Sequence, residues 1–199
     1  DYDDRKLEFV IDKLENEDYS YNQTEIINNL INVEFTVKVP IVDYKYFKGD
    51  IVMRVLSELE PKNVFSFFED ICNIPHPSYK EEKISNYLVD FAKERKLEYY
   101  QDSLNNVIII KEASKGYEDA APIILQGHMD MVCEKTPDCD KNMDEDGLDL
   151  EVNGDFISAK GTTLGGDDGI AVAYALAILD DDSIAHPRLE FVCTVSEEV

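Results

Sequence analysis

The chain has 199 residues, of which 44% are hydrophobic and 31% charged, enough for one globular core with a small appendage. Its 43 acidic against 19 basic residues leave a net charge of -24, which opposes binding to nucleic acid or to anionic membrane surfaces and suits cations. No apolar run approaches the about 18 residues of a spanning helix, and Asp1 to Phe9 has neither the basic start nor the apolar middle of a secretory signal. Cys72, Cys133, Cys139 and Cys193 include no Cys-x-x-Cys pair, which disfavours a zinc knuckle or dithiol site. They read as reduced, mostly buried thiols of a cytoplasmic protein.

Residues 1–52 read as a separate α-β-β piece. Leu7, Val10, Ile11 and Leu14 fall at helical spacing, and 20–27 and 33–39 alternate as strands around an Asn28-Asn29 turn. The pattern faintly resembles the C-terminal ferredoxin-like module of the Impact family, without a specific motif. Met53 is a candidate start for the next segment, so 1–52 is expected to be an upstream extension or fusion with no part in the chemistry.

From Pro61 the order is clearer. Pro61 suits the first turn of a helix running to about Asn73, with Val64, Phe67, Phe68 and Ile71 inward, and Pro75-His76-Pro77 stops it. Ser78 with Glu81 three residues on predicts a capping box for a second helix, whose Ile84, Leu88 and Phe91 form one stripe. Two strands are expected at 97–101 and 106–111, and a third begins after Pro122. An acidic loop covers 138–151 and a short strand 156–159. A Gly-rich turn at 161–168 leads into the nearly all-apolar helix 170–179, and a last strand spans 188–195. Alternating helices and strands predict a layered α/β fold with a parallel or mixed sheet.

Three polar clusters follow apolar elements: His128 with Asp130, Asp167 with Asp168, and Glu197 with Glu198. In open α/β sheets ligands sit beyond the carboxyl ends of the strands, where all three would meet. In an extended chain His128 and Asp130 share a face, so the carboxylate can fix the imidazole tautomer and raise its basicity as a metal ligand. Converging carboxylates repel one another unless a cation lies among them. One imidazole with several carboxylates favours zinc or manganese over calcium or magnesium. Asp168 is read as a helix cap, favoured by the dipole. His76 and His186, each beside a proline, are read as structural or exposed.

Two other motifs fail. Asp140, Asn142, Asp144 and Glu151 mimic a calcium loop, but Glu145 stands where its sharp turn needs glycine. The glycine-rich turn lacks the Gly-Lys-Ser/Thr ending of a phosphate loop, and its two aspartates would repel phosphate.

The stretches ILQGHMDMV, AKGTTLGGDDGIAVA and TVSEEV, with IPHPSYKEE upstream, resemble the aminoacyl-histidine dipeptidase (peptidase D) branch of the carnosinase-like di-zinc metallopeptidases. The resemblance covers roughly 61–199. It implies a three-layer α/β/α zinc-exopeptidase-like catalytic domain, of which 53–199 is the N-terminal portion. It further implies that His128 binds one metal and Asp130 orients it. Asp167 would bridge two metals, Glu198 would bind the second, and Glu197 would be the general base. The implied cofactors are two divalent ions, zinc first, with manganese or cobalt as alternatives. The implied activity is hydrolysis of Xaa-His dipeptides by a metal-activated water, with a homodimer as the full-length form. The family also has a lid and dimerisation domain, a further carboxylate ligand and a late histidine, none of which precedes Val199. The chain as it stands is therefore expected to hold half a binuclear site, with weak metal affinity and little activity. A related di-metal deacylase or tripeptidase remains open, as does a non-catalytic acidic cation-binding module.

Overall fold

The computed structural model describes residues 54–199. The upstream α-β-β reading of 1–52 lies outside the described residues. The described residues form, in order, helix α1 (Lys62–Cys72), α2 (Glu82–Glu94), strands β1 (Glu98–Gln101), β2 (Val107–Lys111), β3 (Ile123–His128), β4 (Leu150–Asn153) and β5 (Phe156–Ala159), then α3 (Gly166–Asp180) and β6 (Leu189–Thr194).

The main sheet has the order β1-β2-β6-β3, and β4 and β5 form a separate hairpin. β6 runs antiparallel to β2 and parallel to β3, so the sheet is mixed. Its register aligns Val107 with Cys193 and Ile109 with Phe191, and on the other side Leu125 with Phe191 and Gly127 with Cys193. Those positions share one face by the two-residue period of a strand. Val107, Ile109, Phe191 and Cys193 are all buried there.

The helices cover that face. A Cβ on Gly127 would meet Val172 of α3, and one on Gly169 of α3 would meet Phe68 of α1. Phe67 of α1 meets Phe91 of α2 edge to face, with centroids 5.5 Å apart. Ile84, Leu88 and Phe91 are buried as the stripe on α2 predicts. On α1, Val64, Phe68 and Ile71 are buried, while Phe67 is only half-buried. The opposite face of the sheet leaves Ile108, Ile110 and Val192 half-buried and Ile124 exposed. The mixed α/β class expected from the sequence is the one observed. Among the described residues, no helix is long and apolar enough to cross a membrane.

Three local readings change. No capping box forms at α2: its N-cap is Glu81, with no side-chain cap bond, and Ser78 and Glu81 bond elsewhere. The acidic loop gives way to a strand at Leu150, which is buried, while Glu151 is half-buried and Val152 and Asn153 are exposed. Asp167 and Asp168 are non-helical, and the peptide between them is cis. The four cysteines are unpaired; Cys72 and Cys193 are buried, Cys133 and Cys139 half-buried. Burial pushes the Cys72 thiol up to about 12. His76 and His186 are both buried, each with Nδ1 on a nearby carbonyl, of Ile74 and Pro187 respectively.

Candidate metal centre

β3 and β6 run parallel and end side by side, His128 opposite Thr194. Their carboxyl ends deliver His128 on one side and Ser196-Glu197-Glu198 on the other. The start of α3 brings Asp167 over the same edge. His128, Asp167 and Glu198 each offer one ligand atom, and these atoms lie within 4.8 Å of one another.

His128 is buried, with its two ring nitrogens facing different partners. Nδ1 lies 3.1 Å from the Asp130 carbonyl oxygen and 3.4 Å from Asp130 Oδ1. Nε2 lies 3.2 Å from Asp167 Oδ1 and 3.9 Å from Glu197 Oε2. An Nδ1–H donated to the carbonyl leaves the Nε2 lone pair aimed into the carboxylates, as a metal-ligating imidazole requires. Burial works to lower the His128 pKa, but the Asp167 carboxylate and the Asp130 carbonyl outweigh it, and the net shift is upward.

Asp130 lies beyond the end of β3, so the two-residue period does not set its direction. The main-chain carbonyl of Asp130, not its carboxylate, makes the shorter contact to His128. The carboxylate, 0% exposed, accepts from the Glu197 amide at Oδ1 (3.0 Å), and at Oδ2 from the Glu198 amide (3.1 Å) and the Ser78 hydroxyl (2.7 Å). Burial alone would raise its pKa, yet these donors hold it below the ordinary carboxylate range.

Asp168 does not serve as the expected helix cap. Its Oδ2 lies 2.8 Å from where a Cβ on Gly127 would stand, so its side chain turns to β3. Burial raises its pKa against the pull of the His128 amide and imidazole. This contact also explains Gly127, since any side chain there would displace the carboxylate.

Sequence reasoning missed Ser78 and Glu81 as site-building residues. Glu81 Oε1 accepts from the Ser196 amide (2.9 Å) and the Ser196 hydroxyl (2.8 Å). The signal was visible only as Ser78-x-x-Glu81, which a capping box explains equally well.

The donor set fits a transition ion. One imidazole nitrogen and two carboxylate oxygens suit zinc or manganese, and three protein ligands with an open position are the pattern of catalytic zinc sites. The exposed Asp167 carboxylate and half-buried Glu198 can turn toward an ion, whereas His128 is already fixed.

A mixed α/β sheet with an imidazole–carboxylate cluster beyond its parallel strand ends is thus an α/β protein with a candidate metal centre. No protein-family model matches the chain. Over 146 residues it is 41% identical to the cytosol non-specific dipeptidase of Escherichia coli (strain K12), covering 73% of this chain and 30% of that protein. The aminoacylhistidine dipeptidase structure from Vibrio alginolyticus superposes with a TM-score of 0.71 at 40% identity, covering 72% of this chain and 29% of that one. A tripeptidase from Staphylococcus aureus subsp. aureus Mu50, at 23% identity and a TM-score of 0.55 over 69% of this chain and 37% of that one, shares the fold. In sequence and in fold the chain is similar to the first two of these proteins. It spans 30% and 29% of their respective lengths.

Proposed function

We propose that this chain is the N-terminal portion, 53–199, of the catalytic domain of a cytoplasmic metallopeptidase that hydrolyses dipeptides, Xaa-His among them, and is a homodimer at full length. The observation that carries this is the approach of His128, Asp167 and Glu198 ligand atoms to within 4.8 Å. The names of the two dipeptidase relatives support the substrate class, and that of the Escherichia coli protein the compartment.

His128 would hold a divalent ion, zinc first and manganese or cobalt as alternatives, through Nε2. Glu198 would hold a second ion through its carboxylate, and Asp167 would serve both ions. When bound, such an ion supplies Lewis acidity, lowering the pKa of water to about 7 and polarising the scissile carbonyl. Glu197, 60% exposed and 3.9 Å from His128 Nε2, would take the proton from the attacking water onto its carboxylate. It would then return that proton to the leaving amine as the C–N bond breaks. Asp130 would act through others: its carbonyl sets the His128 tautomer, and its carboxylate fixes the Glu197 and Glu198 amides.

The test is a chimera in which this segment replaces its counterpart in the Escherichia coli relative, assayed on an unblocked Xaa-His dipeptide with added zinc, manganese or cobalt. Metal-dependent hydrolysis is expected, and Glu197→Gln should keep bound metal while losing about 10²–10⁴-fold in turnover. Near-normal turnover in Glu197→Gln would refute its role as the base.

A further inference from the structure

We propose that Glu81 is a positioning residue that locks the Ser196-Glu197-Glu198 turn in the one conformation that presents Glu198 to the ion; the inference rests on the metal-site reading above. Glu81 is 4% exposed, a carboxylate buried at the foot of α2, and among the described residues no basic side chain is hydrogen-bonded to it. One of its oxygens, Oε1, accepts three hydrogen bonds: from the Tyr79 amide (2.9 Å), the Ser196 amide (2.9 Å) and the Ser196 hydroxyl (2.8 Å).

Both residues it holds are in the left-handed region, Tyr79 at φ 68° and Ser196 at φ 53°. Non-glycine residues populate that region sparsely, and persist there only where surrounding contacts over-determine them. Ser196, in the left-handed region, stands two residues beyond the end of β6. The next two amides then point at the two oxygens of Asp130. Ser78, three residues before Glu81, donates to the same Asp130 carboxylate. The loop 77–81 therefore grips the turn twice, directly through Glu81 and indirectly through Ser78 and Asp130. Without the Oε1 acceptor, the Ser196 amide and hydroxyl lose their partner inside the protein, and an extended Ser196 would carry Glu197 and Glu198 away from His128.

The test compares Glu81→Leu, which removes the acceptor, Glu81→Gln, which keeps an oxygen in place, and Glu81→Asp, which withdraws it by one methylene. The first readout needs no metal: amide hydrogen exchange at Glu197 and Glu198, against core amides of β6 in the same sample. The second is zinc affinity by titration. In Glu81→Leu the two turn amides should exchange at least about tenfold faster relative to the core, and zinc affinity should fall about tenfold. Glu81→Gln should restore both to within about threefold, and Glu81→Asp should fall between. A merely structural Glu81 would shift core and turn amides together. A folded Glu81→Leu with unchanged turn exchange would overturn the proposal. Should Glu81→Leu not fold, Glu81→Asp decides alone, and wild-type turn protection there would overturn it. If the unsubstituted chain binds no zinc through His128, the metal-site reading fails by itself, and the exchange comparison still decides the role of Glu81.

Discussion

Asp130 and Asp167 are both aspartates within reach of His128, yet their side chains are 0% and 86% exposed. Asp130 has both carboxylate oxygens engaged, by two consecutive amides and a hydroxyl from two separate segments. Among the described residues, the Asp167 carboxylate has the His128 ring as its one hydrogen-bonding partner. The contrast separates two tasks that carboxylates perform in one site. A fully bonded, buried carboxylate makes a poor ligand but a rigid scaffold, because each unmade bond in that setting is costly. An exposed, singly bonded one adds little to stability and stays free to coordinate an ion.

The comparison breaks first at Asp130. Asp130→Ala leaves two main-chain amides and a hydroxyl without their acceptor and should lower unfolding stability by about 3 kcal/mol, read by urea denaturation. A loss below about 1 kcal/mol would mean that water replaces the carboxylate without cost. Next comes Gly127→Ala, whose methyl would stand 2.8 Å from Asp168 Oδ2. Overpacking of this kind costs about 1–3 kcal/mol, and thermal unfolding of the variant measures it.

A third prediction uses pH. The folded pKa of Asp130 is depressed, so its stabilisation is fully present above the unfolded value of about 3.9 and is lost as pH falls through the lower folded value. Stability measured from pH 5 down to pH 2 should fall less steeply in Asp130→Asn than in the parent. The smallest expected effect is at Asp167: Asp167→Ala should change stability by no more than about 0.5 kcal/mol while weakening zinc binding. Differential scanning calorimetry beside a zinc titration reads both quantities. A large stability loss there would erase the distinction between scaffold and ligand.

The elements are legible in the sequence where hydrophobic patterning is strong. The stripes of α1 and α2, the run Val107–Ile110 and the apolar helix before Asp180 all declare themselves locally. β4 is hidden because only Leu150 of its four residues is buried, too little for a two-residue alternation to stand out from an acidic loop. His128, Asp167 and Glu198 can be singled out because each sits at the end of a recognisable apolar element, and strand ends gather in α/β sheets. Ser78 and Glu81 have a nearer explanation in the sequence, a helix cap. Their actual partners lie 52 and 115 residues away, and no local period encodes such pairings. Asp168 misleads likewise, because its side chain answers to β3 and not to the helix it precedes.

The most direct test of the account is a calorimetric titration of the chain with zinc and, separately, with calcium, repeated on His128→Ala. The account predicts a zinc-binding event that disappears in His128→Ala, with calcium bound weakly or not at all. Zinc binding that persists undiminished in His128→Ala, or calcium binding that survives it, would contradict a centre built on this imidazole and point to a diffuse acidic surface instead.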